Sequence, residues 1–150
     1  MTATLRCVVD ASVCVKQFIS DPLTPKVHQL FDLLAYPGTE FFVPDLFYIE
    51  TANILWKYVR ARLYTIDEVL ADLATLKALP LRVVSNADLM EEAVSIGLTY
   101  GISAYDGSYV ALSRQVSAPV LTLDGKLVTA LASAPYDVRS FNDFSLPTMS

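Results

Sequence analysis

Four acidic residues stand where a protein can do chemistry. Asp10 directly follows the apolar run Leu5-Arg6-Cys7-Val8-Val9, and Asp124 follows Val120-Leu121-Thr122-Leu123. Glu50 sits among Tyr48, Ile49, Ala52, Ile54 and Trp56, with Asn53 three residues on. Asp106 lies three residues after Ser103. Each acid has an ordinary reading. Asp between a strand and a helix is a common N-cap, and Asp106 can be the acidic half of a capping box with Ser103. Glu50 can pair with a buried Arg or Lys, because a lone carboxylate among apolar neighbours is costly. The conjunction points elsewhere. Carboxylates gathered at one edge of a sheet repel one another, and a divalent cation relieves that repulsion by taking them as hard oxygen ligands. Mg2+ suits such a site, since it keeps several waters and needs few carboxylates; Mn2+ is the natural substitute. No nucleophile competes for the role. The single His28 has no zinc-ligand spacing with Cys7 or Cys14, and there is neither a Gly-x-Ser-x-Gly elbow nor a Walker-type loop.

The elements that must position these acids follow from the hydrophobic pattern. Leu5 to Val9 reads as a buried strand, and Ala11 to Ile19 as a short helix ended by Ser20-Asp21-Pro22. Thr24-Pro25 reads as an N-cap with Pro at the first helical position, opening a helix to about Ala35. Phe41 to Val43 is a second strand, and Leu46 to Ala61 a long helix, apolar on most sides. Thr65 to Glu68 is a Thr-x-x-Glu capping box, opening a helix that ends near Pro80. Leu81 to Val84 is a third strand. Ala87 to Leu98 is an amphipathic helix with Leu89, Ala93, Val94 and Leu98 on one side. Ser103 caps a helix to about Val116, Val120 to Leu123 is a fourth strand, and a short helix covers Lys126 to Leu131. Tyr136 to Phe141 reads as an edge strand, and Asn142 to Ser150 as a loose tail. Strands alternating with helices predict one three-layer α/β/α domain over residues 1–150 with a mostly parallel central sheet. Ligands then bind beyond the carboxyl ends of the strands, where Asp10 and Asp124 fall.

Composition narrows the function. The chain has 150 residues, 53% hydrophobic and 18% charged, which excludes a disordered chain. Mean hydropathy is +0.42. Even so, the longest stretch free of charge, Ala93 to Tyr105, is too short to span a bilayer. Arg6 and Asp10 break the N-terminal apolar run, so no secretory signal is expected. The two cysteines read as reduced, buried residues of a cytoplasmic protein. Net charge is −5, unlike a generic nucleic-acid binder unless bound cations neutralise some of the acids. Lys57, Arg60 and Arg62 at the end of the Glu50 helix, with Lys16 and Lys126, are candidate phosphate contacts or else a solvated helix end. The surplus of apolar residues suggests a homodimer, with Phe31, Leu34, Tyr36, Phe47, Tyr58 and Tyr64 as interface candidates.

Four segments carry a resemblance: Val8-Val9-Asp10-Ala11-Ser12, Glu50-Thr51-Ala52-Asn53-Ile54-Leu55, Ala104-Tyr105-Asp106-Gly107-Ser108-Tyr109-Val110-Ala111-Leu112 and Val120-Leu121-Thr122-Leu123-Asp124-Gly125-Lys126-Leu127. In this order and spacing they resemble the PIN domain family, most closely the VapC-type ribonuclease toxins of toxin–antitoxin pairs. The resemblance implies a PIN-like fold and a Mg2+- or Mn2+-dependent endoribonuclease. Asp10, Glu50, Asp106 and Asp124 fall on the family's acidic quartet, and Ser12, Asn53 and Thr122 on its supporting polar positions. It also implies an RNA substrate, a homodimer and a small VapB-type antitoxin lying across the groove. Asp10, Asp106 and Asp124 are then expected to hold one or two ions, with Glu50 acting directly or through water. The alternative is a catalytically silent PIN-like metal-binding module acting through protein association. A phospho-acceptor receiver domain fits poorly, because Asp10 has no acidic neighbour and Glu50 falls inside a helix.

Overall fold

The computed structural model describes residues 4–148, so the last two residues of the expected loose tail lie outside the described residues. Five strands form one sheet: β1 (Arg6–Val9), β2 (Glu40–Pro44), β3 (Arg82–Val84), β4 (Val120–Thr122) and β5 (Val138–Ser140). Their order is β3-β2-β1-β4-β5 and every pairing is parallel. Val8 and Val9 of β1 face Val120 and Leu121 of β4, and Cys7 faces Phe41 of β2. The chain winds from β1 outward to β3, then returns to the other side of β1. Right-handed crossovers therefore put the helices before β3 and those after it on opposite faces. The reversal of direction leaves a crevice between the carboxyl ends of β1 and β4.

One layer holds α1 (Ala11–Cys14), α2 (Thr24–Asp32), α3 (Leu46–Arg60) and α4 (Ile66–Ala78); the other holds α5 (Met90–Tyr100), α6 (Ala104–Val116) and α7 (Gly125–Ala130). Because helices cover both faces, β1 and β4 read as unbroken apolar runs rather than as alternating ones. Val8, Val9, Val43, Val120 and Leu121 have no exposed surface. The Thr65–Glu68 capping box is formed, and Ser103 caps α6 by accepting from Asp106 N. Cys7 and Cys14 are free and buried, and burial raises both thiol pKa values. Phe144 and Leu146 of the C-terminal stretch pack on the core. Among the described residues no helix is long and apolar enough to cross a membrane.

Several local expectations are corrected. The helix after β1 stays α-helical only to Cys14 and tightens to a 3-10 turn over Val15–Gln17. Thr24 does not cap α2, whose N-cap is Leu23. Its hydroxyl donates to Lys16 O at 2.8 Å and accepts from Asp21 N at 3.0 Å, tying down the preceding loop instead. Helix α3 buries only Phe47, Thr51 and Leu55, leaving Ile49 71% and Trp56 50% exposed. On α5 the buried stripe is Leu89, Ala93 and Ile96, while Val94 and Leu98 face solvent. The reason is a glycine contact. A Cβ on Gly107 of α6 would lie 2.3 Å from Ala93 O, so α5 and α6 approach backbone to backbone and that contact sets the rotation of α5. Among the expected dimer residues, Phe31 and Phe47 are buried in the core; Leu34, Tyr36, Tyr58 and Tyr64 are half-buried.

Candidate active site

Asp10 stands at the N-cap position of α1, yet its side chain makes no capping bond there. Its backbone N–H donates to Leu121 O at 3.1 Å, carrying the β1–β4 ladder one step past the strand. The carboxylate is held across the crevice. Its Oδ2 accepts from Ser12 Oγ at 2.6 Å and from Thr122 Oγ1 at 2.8 Å. Ser12 Oγ accepts from Leu123 N at 3.0 Å, and Thr122 Oγ1 accepts from Asp124 N at 3.0 Å. Each hydroxyl thus accepts a backbone N–H from the turn after β4 and donates its own hydrogen bond to Asp10. The two strand ends are joined through one carboxylate oxygen, and Thr122 is fully buried in doing so.

Asp124 does cap α7, accepting from Lys126 N at 3.0 Å and Leu127 N at 3.3 Å. Both bonds use Oδ1, so capping occupies one oxygen of the two. Asp106 is placed by the Ser103 cap and by the tight Gly107–Ala93 contact one residue on. Glu50 comes from the flank of α3 beside its exposed side, where it is half-buried. Among the described residues it has no cationic partner, so the buried ion pair is excluded; Oε1 accepts instead from Tyr109 Oη at 2.7 Å.

Asp10, Ser12, Glu50, Asn53, Asp106 and Asp124 line a single cleft of about 240 Å3, together with Ala11, Ile54 and Lys57. Three of the acids titrate high. Burial, then the charges of Asp10 and Asp106, lift Glu50 to about 7 against the Tyr109 hydrogen bond. Burial, then Asp10 and Asp124, lift Asp106 to about 6. Burial and Asp124 raise Asp10 despite the Ser12 and Thr122 hydroxyls. The acids therefore feel one another as a set, which four separate helix caps would not.

This donor set suits a hard divalent cation. Among the described residues no three acidic, thiol or imidazole groups are close enough to enclose an ion by themselves. Thr122 and Ser12 orient Asp10 as hydrogen-bonded supports of a metal ligand do.

The remaining candidates divide. Lys57 lines the cleft, while Lys16 is paired with Asp21 at 3.0 Å and does not line it. The Arg60 guanidinium lies over the Trp56 ring, Arg62 ends the α3 turn at φ 60°, and Lys126 is exposed on α7. Tyr109 was not singled out from the sequence. Its signal is a tyrosine one helical turn after Asp106, in a helix buried on nearly every side. It is fully buried, and burial with Asp10 and Glu50 pushes its phenol well above 10, so it stays protonated and able to donate.

Residues 7–130 match the PIN domain family. The chain is 32% identical over 127 residues to Ribonuclease VapC3 of Pyrobaculum aerophilum, covering 82% of this chain and 92% of that protein. Among solved structures, another Pyrobaculum aerophilum protein superposes with a TM-score of 0.65 at 20% identity, covering 92% of this chain and 85% of its own. Mycobacterium tuberculosis VapC20, a sarcin–ricin loop cleaving toxin, gives 0.64 at 20% identity, covering 83% and 94%. The VapBC2 complex of Rickettsia felis, solved on a promoter DNA fragment, gives 0.64 at 11% identity, covering 91% and 98%. At these identities the solved structures speak for the fold.

Proposed function

The chain belongs to the PIN domain family, and from that premise we propose that it is a divalent-metal-dependent endoribonuclease, the toxin of a VapBC-type pair. The observation that carries the reading is the Asp10 carboxylate, held by Ser12 and Thr122 rather than spent on a helix cap, in a cleft with Glu50, Asp106 and Asp124. Asp10, Asp106 and Asp124 would share Mg2+ or Mn2+, with water completing the coordination and Glu50 beside them. An ion held there would supply positive charge at the scissile phosphate and lower the pKa of a water positioned for in-line attack. Glu50, fixed by Tyr109 through Oε1 and basic for a carboxylate, takes the proton that the attacking water loses. Ser12 and Thr122 orient Asp10 and favour its ionised form against burial, Asn53 positions waters at the rim, and Lys57 neutralises a phosphate oxygen. Arg60, Arg62 and Lys126 extend that cationic rim, with Lys16 further away.

The partners are RNA and a small VapB-type antitoxin, and the protein acts in the cytoplasm. A homodimer is part of the reading. Its apolar centre lies on the α5 stripe Met90, Val94 and Leu98, which are 57%, 50% and 83% exposed and spaced at i, i+4 and i+8. Light scattering at micromolar concentration reads the mass; a value near 16.5 kDa ends the dimer.

The deciding experiment is cleavage of single-stranded RNA with and without Mg2+ or Mn2+, comparing wild type with Asp10→Asn. The expected result is metal-dependent cleavage lost in a folded mutant, since an amide binds the cation far more weakly. Wild-type inertness with both metals would instead favour a silent module acting through protein association, and an active Asp10→Asn would remove the site assignment.

A further inference from the structure

Directly beside the acidic cleft, α3 carries a second, shallower depression lined by Ile49, Ala52, Asn53 and Trp56. Asn53 lines both, so the two adjoin. Trp56 is half-exposed although it is the chain's only tryptophan, and Ile49 one helical repeat before it is more exposed still. Trp56 is also held in place. The Arg60 guanidinium lies 5.0 Å from its ring centroid, one helical turn on. Helical side chains lean toward the N-terminus, and the indole lines the depression together with Ala52 and Asn53 of the preceding turn. The surroundings are cationic in an otherwise acidic protein. From residue 51 to residue 66 the sequence has Lys57, Arg60 and Arg62 and no acid, whereas the chain as a whole carries −5. Among the described residues none of these three cations is in an ion pair.

An aromatic face stiffened by an arginine, with a second unpaired cation, Lys57, lining the adjoining acidic cleft, has the composition of a single-strand RNA subsite. There a base stacks and the flanking phosphates meet Lys and Arg. A protein partner seeking only apolar surface would gain nothing from that concentration of positive charge. We propose that Trp56, backed by Arg60, is the stacking platform for a nucleobase next to the scissile phosphate, with Lys57 bridging the backbone between platform and cleft. The proposal rests on the nuclease reading and adds a subsite to it. It makes α3 bifunctional: Glu50 serves the reaction on one face, and Trp56 selects unpaired RNA on the adjoining one. A duplex, whose bases are already stacked, cannot use the platform.

The lone tryptophan is its own reporter. An unlabelled single-stranded oligoribonucleotide is titrated into the Asp10→Asn protein with millimolar Mg2+. Stacking quenches Trp56 fluorescence saturably, whereas the same oligonucleotide with one abasic position gives weaker quenching when that position falls on the platform. In cleavage assays Trp56→Ala raises KM by about 5- to 100-fold, the range expected for one lost base stack. Trp56→Phe, which keeps a ring, stays within about threefold of wild type, and Arg60→Ala falls between. Quenching requires no turnover, so the two claims separate. RNA that binds by fluorescence anisotropy but leaves Trp56 unquenched overturns the platform and leaves the nuclease standing. A Trp56→Ala protein with wild-type KM but a lower assembly mass overturns it in favour of a protein-docking face. Failure to bind RNA at all overturns both.

Discussion

Replacing Tyr109 by Phe removes one oxygen and leaves the fully buried ring in place. Its hydroxyl donates to Glu50 Oε1 at 2.7 Å, and nothing else in the cleft opposes the burial that drives the Glu50 pKa upward. A hydrogen bond to an ionised carboxylate contributes roughly 1.5–3 kcal/mol. One pH unit corresponds to about 1.4 kcal/mol, and the open cleft argues for the lower end of that range. The Glu50 pKa should therefore rise from about 7 by about one pH unit in the metal-free mutant. At pH 7 the ionised fraction falls from about a half to about a tenth, a fivefold loss of the basic form. The mutant should be nearly as stable as wild type, because the neutral Glu50 that results carries little desolvation cost. The direct assay is titration of the side-chain carboxyl carbons by NMR in the metal-free protein, with Glu50 assigned through Glu50→Gln. The functional one is the rate of RNA cleavage from pH 5.5 to 9, whose acid limb should move upward and recover at high pH. An unmoved Glu50 titration, or a Tyr109→Phe rate that is low at every pH, would show that Tyr109 does not govern this proton.

Thr122→Val keeps the shape but removes both the donor to Asp10 and the acceptor for Asp124 N; in the crevice this should cost about 1–3 kcal/mol and lower Tm by roughly 2–12 °C, read by calorimetry. Gly107→Ala sets two effects against each other: helix propensity favours Ala by about 1 kcal/mol. The new methyl would lie 2.3 Å from Ala93 O, so overpacking wins and urea denaturation should show net destabilisation of about 1–3 kcal/mol. Glu50 and Asp106 titrate at about 7 and about 6 in the fold, above their ordinary values of 4.5 and 3.8, so the folded metal-free protein holds extra protons between those limits. Its stability should therefore fall as pH rises from about 5 to 7.5, and a urea midpoint that increases over that range would contradict the electrostatics. Millimolar Mg2+ should reverse the trend at pH 7.5 by binding the folded state, whereas Asp106→Asn should both flatten the pH dependence and weaken the metal effect in thermal melts.

The order of elements was legible in the residues because each carries a local mark. Unbroken apolar runs declare strands covered on both faces, Thr65–Glu68 and Ser103 declare helix starts, and an acid ending a strand declares a residue on the carboxyl edge. Asp10 and Asp124 stand out for that last reason, whereas Glu50 and Asp106 lie inside helices and join the quartet through the family resemblance. What each acid does was not local. Asp10 and Asp124 look alike in sequence, yet one caps a helix through Oδ1 and the other refuses the cap because Ser12 and Thr122, 110 residues apart, converge on it. That difference exists only once β1 and β4 pair. Glu50 had a plausible buried cation as partner until α3 and α6 met across the site and supplied Tyr109 instead. The exposed faces of α3 and α5 were likewise misjudged from periodicity, which finds an apolar stripe but not the angle at which a helix is docked. That angle came from backbone contact at Gly107, a constraint set by a neighbour distant in the fold's assembly and silent in the helix itself.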